Sequence, residues 1–371
     1  MINTFKLEKY LSKYEFKASY LLCCSDAESF EMQEIIAMAN SQDRLLWDNL
    51  RLGYTEDNGL LGLRQEIIDA FYPGLDADNI VCFAGAEDGI FCSLNVLCEP
   101  SDHIIVLTPC YQSLLEVPQF RSRDVTKINL KEARQWKIDI EGITAAIKPN
   151  TKIIIINFPH NPTGQVITDQ EIIELAVLCQ KHDIWLFSDE AYRLLGNPKK
   201  NWARPAAICY QKAISLGVMS KAFGMAGLRI GWIACQNQQI LQKIKELKHY
   251  TSICNSGPSE IISLIAIKNK DRILARNNEI VKSNLAIFND FLSNHRDYFS
   301  WVEPQGGCVG FINYKTDEPV ADFCKDLLEK KSVLLMPASI YDFNSNHFRV
   351  GLGRKNMPIA LEKLDDFLKG K

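Results

Sequence analysis

The chain reads as an α/β protein, with a large doubly wound, mostly parallel sheet domain and a second, smaller α+β domain. Three observations predict this. Short apolar strands alternate with helices between residues 79 and 235, the pattern of a sheet wound with helices. Strands such as Ile153-Ile154-Ile155-Ile156 are apolar at consecutive positions, as strands covered by helices on both faces must be. Beyond Cys235 the alternation stops, and long helices and a few closely spaced strands follow. A chain of 371 residues is too long for one small core. The expected division is 49–255 for the large domain and 1–48 plus 256–371 for the small one, with no internal repeat.

Taken in order, residues 1–48 read as helical and polar, with an amphipathic pattern over Glu28–Ala39. A turn, Tyr54-Thr55-Glu56-Asp57-Asn58-Gly59, precedes a helix over Leu60–Phe71, where Leu60, Leu63, Ile67 and Ala70 share one face. The strand Asn79–Phe83 turns at once through Ala84-Gly85 into a helix over Ala86–Leu97. Exposed N–H groups at such a helix start can hold an anion, and Gly85 lets it come close; glycine is equally common there for packing alone. His103–Thr108 is a strand, and Pro109-Cys110-Tyr111 opens a further helix. Strands over Asp124–Leu130, Lys152–Phe158, Ile184–Phe187 and Ala213–Met219 continue the series, with a helix over Thr168–His182. Trp232–Cys235 ends it. Gln236–Tyr250 and Asp271–His295 read as long helices, the second with Leu274, Val281, Leu285, Phe288 and Leu292 on one face. Two strands flank Gln305-Gly306-Gly307 within Trp301–Tyr314. A helix over Val320–Lys330, strands over Val333–Met336 and His347–Leu352, and a helix over Pro358–Leu368 close the chain.

The chemistry gathers at strand ends. Ligands of doubly wound sheets sit at the carboxyl ends of the strands, and three such ends carry unusual residues. These are Asn157-Phe158-Pro159-His160-Asn161-Pro162-Thr163-Gly164, Ser188-Asp189-Glu190-Ala191-Tyr192, and Ser220-Lys221. Each alone is ordinary turn or cap chemistry. Together they set an amide, a carboxylate, a phenol and a lysine at one edge of one sheet. Lys221 is the sole cation between Lys212 and Arg229, and three glycines and Arg229 follow it within ten residues. A lysine among apolar neighbours tends to lose its proton, and a neutral amine is what a Schiff base with an aldehyde requires. A fixed guanidinium at Arg229 suits a phosphate dianion.

Composition sets limits. The chain is 47% hydrophobic and 23% charged, with a formal net charge of −3, so it offers no broad basic field for nucleic acid. Its apolar runs are strand-sized, far short of a membrane span. Met1-Ile2-Asn3-Thr4-Phe5-Lys6 has no signal-peptide core, which points to the cytoplasm. Twelve scattered cysteines without a Cys-x-x-Cys, and six histidines without ligand spacing, read as buried small hydrophobes or free thiols and predict no metal site.

In order along the chain, Tyr54, Gly59, Leu63-Arg64, Gly85, Tyr111, Asn161-Pro162-Thr163-Gly164, Asp189-x-x-Tyr192, Ser220-Lys221, Arg229 and Phe348-Arg349 form a connected motif set. From about Tyr54 onward the sequence resembles the class I/II aminotransferases, enzymes of fold type I that use pyridoxal 5′-phosphate (PLP). The resemblance implies that Lys221 forms the internal aldimine and later moves the substrate's α-proton. It implies that Asp189 pairs with the pyridinium nitrogen, that Tyr192 and Asn161 bond the ring oxygen, and that Tyr111 stacks on the ring. Gly85, Ala86 and Glu87, with Ser220 and Arg229, look like the phosphate cup. Tyr54 looks like the tyrosine that reaches the phosphate of a neighbouring subunit, implying a homodimer with shared sites. Arg349, with Asn161 beside it, looks like the grip on a substrate α-carboxylate. The implied reaction moves an amino group between an amino acid and a 2-oxo acid.

Two positions depart from the family pattern. Val218 stands three residues before the lysine, where Ser or Thr usually donates to the phosphate. The stretch Leu21-Leu22-Cys23-Cys24-Ser25-Asp26-Ala27-Glu28 lacks the glycine that often borders the substrate. With Pro304-Gln305-Gly306-Gly307, these features are similar to members of the capreomycidine synthase type. Other PLP chemistry on an amino acid (cyclisation, β-elimination or decarboxylation) is therefore the alternative reading. A PLP-binding protein without turnover is the third, and the presence of Lys221, Asp189, Asn161, Tyr192, Arg229 and Arg349 together speaks against it.

Overall fold

The computed structural model describes residues 2–196 and 202–371. Its thirteen strands, in chain order, are β1 (Tyr20–Leu21), β2 (Ile80–Phe83), β3 (His103–Thr108), β4 (Asp124–Asn129), β5 (Thr151–Asn157), β6 (Trp185–Asp189) and β7 (Ala213–Val218), then β8 (Gly231–Cys235), β9 (Phe299–Trp301), β10 (Val309–Tyr314), β11 (Val333–Leu334), β12 (Met336–Pro337) and β13 (His347–Gly351). Seven strands form the large sheet in the order β2-β8-β7-β6-β5-β3-β4. Strand β8 runs antiparallel to both its neighbours, and every other pairing in the sheet is parallel. The α/β fold with a large, mostly parallel sheet is as the sequence predicts.

The isoleucine run of β5 shows why. Alternate side chains point to opposite faces of a sheet. Ile153 and Ile155 pack with Ile90 and Leu94 of the helix Ala86–Leu97 and Leu241 of the helix Gln238–Lys248. Ile154 and Ile156 pack with Ile172, Leu175 and Cys179 of the helix Asp169–Lys181 on the other face. Both layers exclude water, so burial drives the fold from each side at roughly 25 cal/mol per Å² of apolar surface.

A four-stranded antiparallel sheet, β12-β13-β10-β9, and a two-stranded parallel pair, β1-β11, complete the architecture. Three expectations need correction here. Residues 1–48 are not helical throughout: Tyr20–Leu21 forms β1 and pairs with Val333–Leu334. The expected strand Val333–Met336 divides at Leu335, one half pairing with β1 and the other with β13. The helix expected to open at Pro109 begins at Ser113, so Tyr111 lies in the connection after β3. A helix over Gly257–Lys268 went unpredicted, because Glu260–Ile267 is buried all round and shows no amphipathic period. No helix among the described residues is long and apolar enough to cross a membrane.

Candidate active site

Strand register sets the site. Asn157, the last residue of β5, pairs with Asp189, the last of β6, and Asp189 pairs with Leu216 of β7. Lys221 follows β7 by three residues, and Gly85 and Tyr111 follow β2 and β3 at the same edge. A cavity of about 560 Å³ opens there, lined by Ala86, Glu87, Tyr111, Asn161, Asp189, Tyr192, Ser220, Lys221, Arg229 and Arg349 among others. The three strand ends and the two arginines singled out in the sequence thus meet in one space. Tyr54 does not; it stands 91% exposed, outside the lining.

Lys221 Nζ donates to Ser25 Oγ at 2.9 Å and lies 5.9 Å from the Tyr192 ring centre. Burial lowers its pKa, an effect that Asp26 partly offsets. A lowered pKa alone does not select this lysine, since burial does the same to Lys248. Lys248, however, donates to the Asp57 carbonyl and lies outside the cavity. Position decides between them.

Asp189 is 5% exposed. Burial pushes its carboxyl up to about 6, although the Ala191 N–H and the charge of Lys221 pull the other way. An acid so placed is ready for a cationic partner, which would restore its ionised form. Tyr192 is buried with no well-formed hydrogen bond on its hydroxyl, Ser25 being a side chain close enough to act on it. A buried phenol without a partner is an unfilled donor.

Arg349 is 1% exposed, and four of its five N–H groups are engaged. Nε and Nη2 donate to the Cys23 carbonyl at 3.1 and 2.7 Å, and Nη1 donates to Tyr341 Oη at 2.6 Å and Asn161 Oδ1 at 3.2 Å. Tyr341 Oη also donates to Asn161 Oδ1, at 3.1 Å. Two donors on Oδ1 fix the amide, so Asn161 Nδ2 and one Nη2 hydrogen of Arg349 remain available beside the cavity.

At the amino end of the helix Ala86–Leu97, Gly85 has φ +95°, and a Cβ there would come within 2.4 Å of Arg229 Nη2. Only glycine lets the guanidinium close over free helix N–H groups, and that cradle has the size and charge for a phosphate. Glu87 also enters this region; Ser113 Oγ donates to its Oε1 at 2.5 Å, and burial raises its pKa. Tyr111 sits with its ring 5.5 Å from that of Phe5. A buried acid, a free phenol, a lysine whose pKa burial lowers and a phosphate cradle form a donor set that fits PLP.

Sequence reasoning missed the roles of Ser25, Tyr341 and the Cys23 carbonyl. Apart from Tyr341 to Arg349, eight residues apart, their contacts span more than 150 residues of chain or lie in main chain, so no local pattern announces them.

A wound sheet with a lysine and an acid at adjacent strand ends defines a fold-type I enzyme dependent on pyridoxal 5′-phosphate. The chain belongs to the family Aminotransferase class I and II, whose sequence profile it matches over residues 22–364. It is 25% identical over 319 residues to a probable aspartate aminotransferase of Methanocaldococcus jannaschii, covering 83% of each chain. It is 22% identical over 352 residues to capreomycidine synthase of Streptomyces vinaceus, covering 93% of this chain and 88% of the relative. Its fold superposes on a PLP-dependent aminotransferase of Streptococcus suis with a TM-score of 0.92 and 28% identity, covering 100% of this chain and 98% of the other.

Proposed function

We propose that this protein is an aminotransferase, moving an amino group between an amino acid and a 2-oxo acid. The observation that carries this is the meeting of Lys221, Asp189 and Arg349 in one cavity. Bound PLP supplies an aldehyde to receive the amino group and a ring that draws in electrons from the substrate α-carbon. In this reading the Asp189 carboxylate holds a proton at the ring nitrogen. Tyr192 Oη and Asn161 Nδ2 donate to the ring oxygen, and Tyr111 packs on the ring face. The N–H groups of Ala86 and Glu87, with Ser220 and Arg229, hold the phosphate, while Gly85, whose own N–H donates to the Phe83 carbonyl at 2.8 Å, leaves it room. Arg349 and Asn161 take the α-carboxylate through the donors they keep free. Lys221 Nζ, its pKa lowered by burial and its position held by Ser25, takes the α-proton and returns it. The exposed Tyr54 reaches the phosphate of a second copy in a homodimer. Twelve unpaired cysteines support a cytoplasmic setting.

Two variants probe the binding groups. Arg349→Lys is expected to cut kcat/KM by about 10²- to 10³-fold, mainly through KM, because an ammonium cannot replace the planar fork that also serves Cys23 and Asn161. Steady-state kinetics with donor and acceptor varied separately check it. Val218 is 4% exposed and lines the cavity where a hydroxyl would meet the phosphate. Val218→Thr is expected to lower the Kd for PLP by roughly threefold to tenfold, the worth of one added hydrogen bond; a fluorescence titration of the cofactor-free protein reads it.

A second reading keeps the cofactor and changes the reaction to cyclisation, elimination or decarboxylation. The hydrogen bond from Lys221 to Ser25, within the stretch 21–28 that departs from the family pattern, favours it, as does the likeness to capreomycidine synthase. Donor alone decides between them: a transaminase converts its cofactor stoichiometrically to the amino form, and the other chemistries leave it as the aldehyde.

A further inference from the structure

The chain's first helix carries one uncommitted feature, an acidic stripe. Glu8, Leu11 and Glu15 recur at spacings of three and four and therefore share one face of the helix Lys6–Tyr14 and its C-cap. All three line the cavity, together with Ser25 and Asp26. Asp26 is already paired, accepting from Arg354 Nη2 at 2.8 and 3.0 Å. Glu8 and Glu15 form no salt bridge among the described residues; Glu8 accepts only a long contact from Tyr111 Oη at 3.4 Å. The cations of the lining are Lys221, Arg229 and Arg349, and each has a role in the reading above. No cation is left over for a side chain that is itself acidic. That the cavity takes a ligand is marked independently by Tyr192, 2% exposed, which lines it and whose hydroxyl has no well-formed hydrogen bond.

We propose that the donor is an amino acid whose side chain ends in a cation, an ammonium or a guanidinium, received by Glu8 and Glu15. The proposal rests on the function argued above and gives it a substrate class. An acidic side chain would meet the two unpaired carboxylates of Glu8 and Glu15, and like charges at close quarters oppose binding. A neutral apolar side chain would displace water from half-buried Glu15 and give neither free carboxylate a partner. A cation on an alkyl stem satisfies both ends, with its methylenes along Leu11 and its charge between the glutamates. The crowding is visible in Glu15, whose pKa is raised by burial first and then by Asp26 and Glu8, with Arg354 and Lys221 offsetting only part of it. A bound cation relieves that repulsion.

The test uses the PLP-loaded protein and follows its visible band during titration with L-arginine, L-lysine, L-ornithine, L-norleucine, L-aspartate and L-glutamate. Apparent Kd for the cationic amino acids is expected to be about tenfold or more below that of norleucine, with the acidic pair weakest. The lysine-to-norleucine ratio is expected to shrink several-fold in 0.5 M salt, and in Glu8→Gln and Glu15→Gln, because Glu8 is exposed and Glu15 half-buried. A band moved equally well by norleucine or aspartate overturns the substrate class and leaves the function standing. A band that no amino acid moves overturns both.

Discussion

Lys221→Ala is expected to lower kcat/KM by at least about 10⁴-fold, since one side chain supplies both the covalent link and the proton transfer. The protein should still fold. The side chain is half-buried and donates one hydrogen bond, to Ser25, while the main chain of Lys221 accepts from Ala27 and Gly224 and is untouched by the change. The melting temperature should therefore stay within a few degrees. The visible band that depends on the lysine link should vanish, and an added small amine should restore part of the turnover. A variant that keeps the native band would remove Lys221 from the chemistry.

Asp189→Asn is the second large effect. An amide does not hold a proton on the ring nitrogen as a carboxylate does, and the loss in kcat is expected to be about 10²- to 10³-fold. The same residue carries a pH signature in the cofactor-free protein. Burial lifts its carboxyl from the ordinary 3.8 to about 6. Between those values the native state binds a proton that the unfolded chain has released, so stability falls as pH rises through that window. Relative to Asp189→Asn, the wild type should lose about 2–3 kcal/mol between pH 4 and pH 7. Urea midpoints at each pH measure it, and adding PLP should reduce the loss by giving the carboxylate a cation. An unchanged difference across this range would mean that Asp189 is solvated or paired by something else.

What the sequence made legible follows from how local each signal is. Ile153–Ile156 announces a strand covered on both faces, because burial on both sides erases alternation. Asp189 and Lys221 are legible as strand-end residues for the same reason: the strands that carry them are. The helix Gly257–Lys268 escaped notice because Glu260–Ile267 is buried on every side, so periodicity has nothing to contrast. Residues 20 and 21 could not declare themselves a strand, since their partners lie more than 300 residues away. Separations of 196 and 326 residues hid Ser25 at Lys221 and Cys23 at Arg349. In the first helix, the spacing of Glu8, Leu11 and Glu15 was readable, but the direction in which that face points was not. Tertiary packing turns an ordinary polar stripe into the wall of a site.

The account stands on the Lys221 nitrogen being the atom that holds the cofactor. Borohydride reduction of the PLP-loaded protein, followed by proteolysis and mass spectrometry, tests this directly. The prediction is one pyridoxyl group per chain, on the peptide carrying Lys221. A group fixed on another lysine, with buried Lys248 the foremost rival, or no group fixed at all, would contradict it.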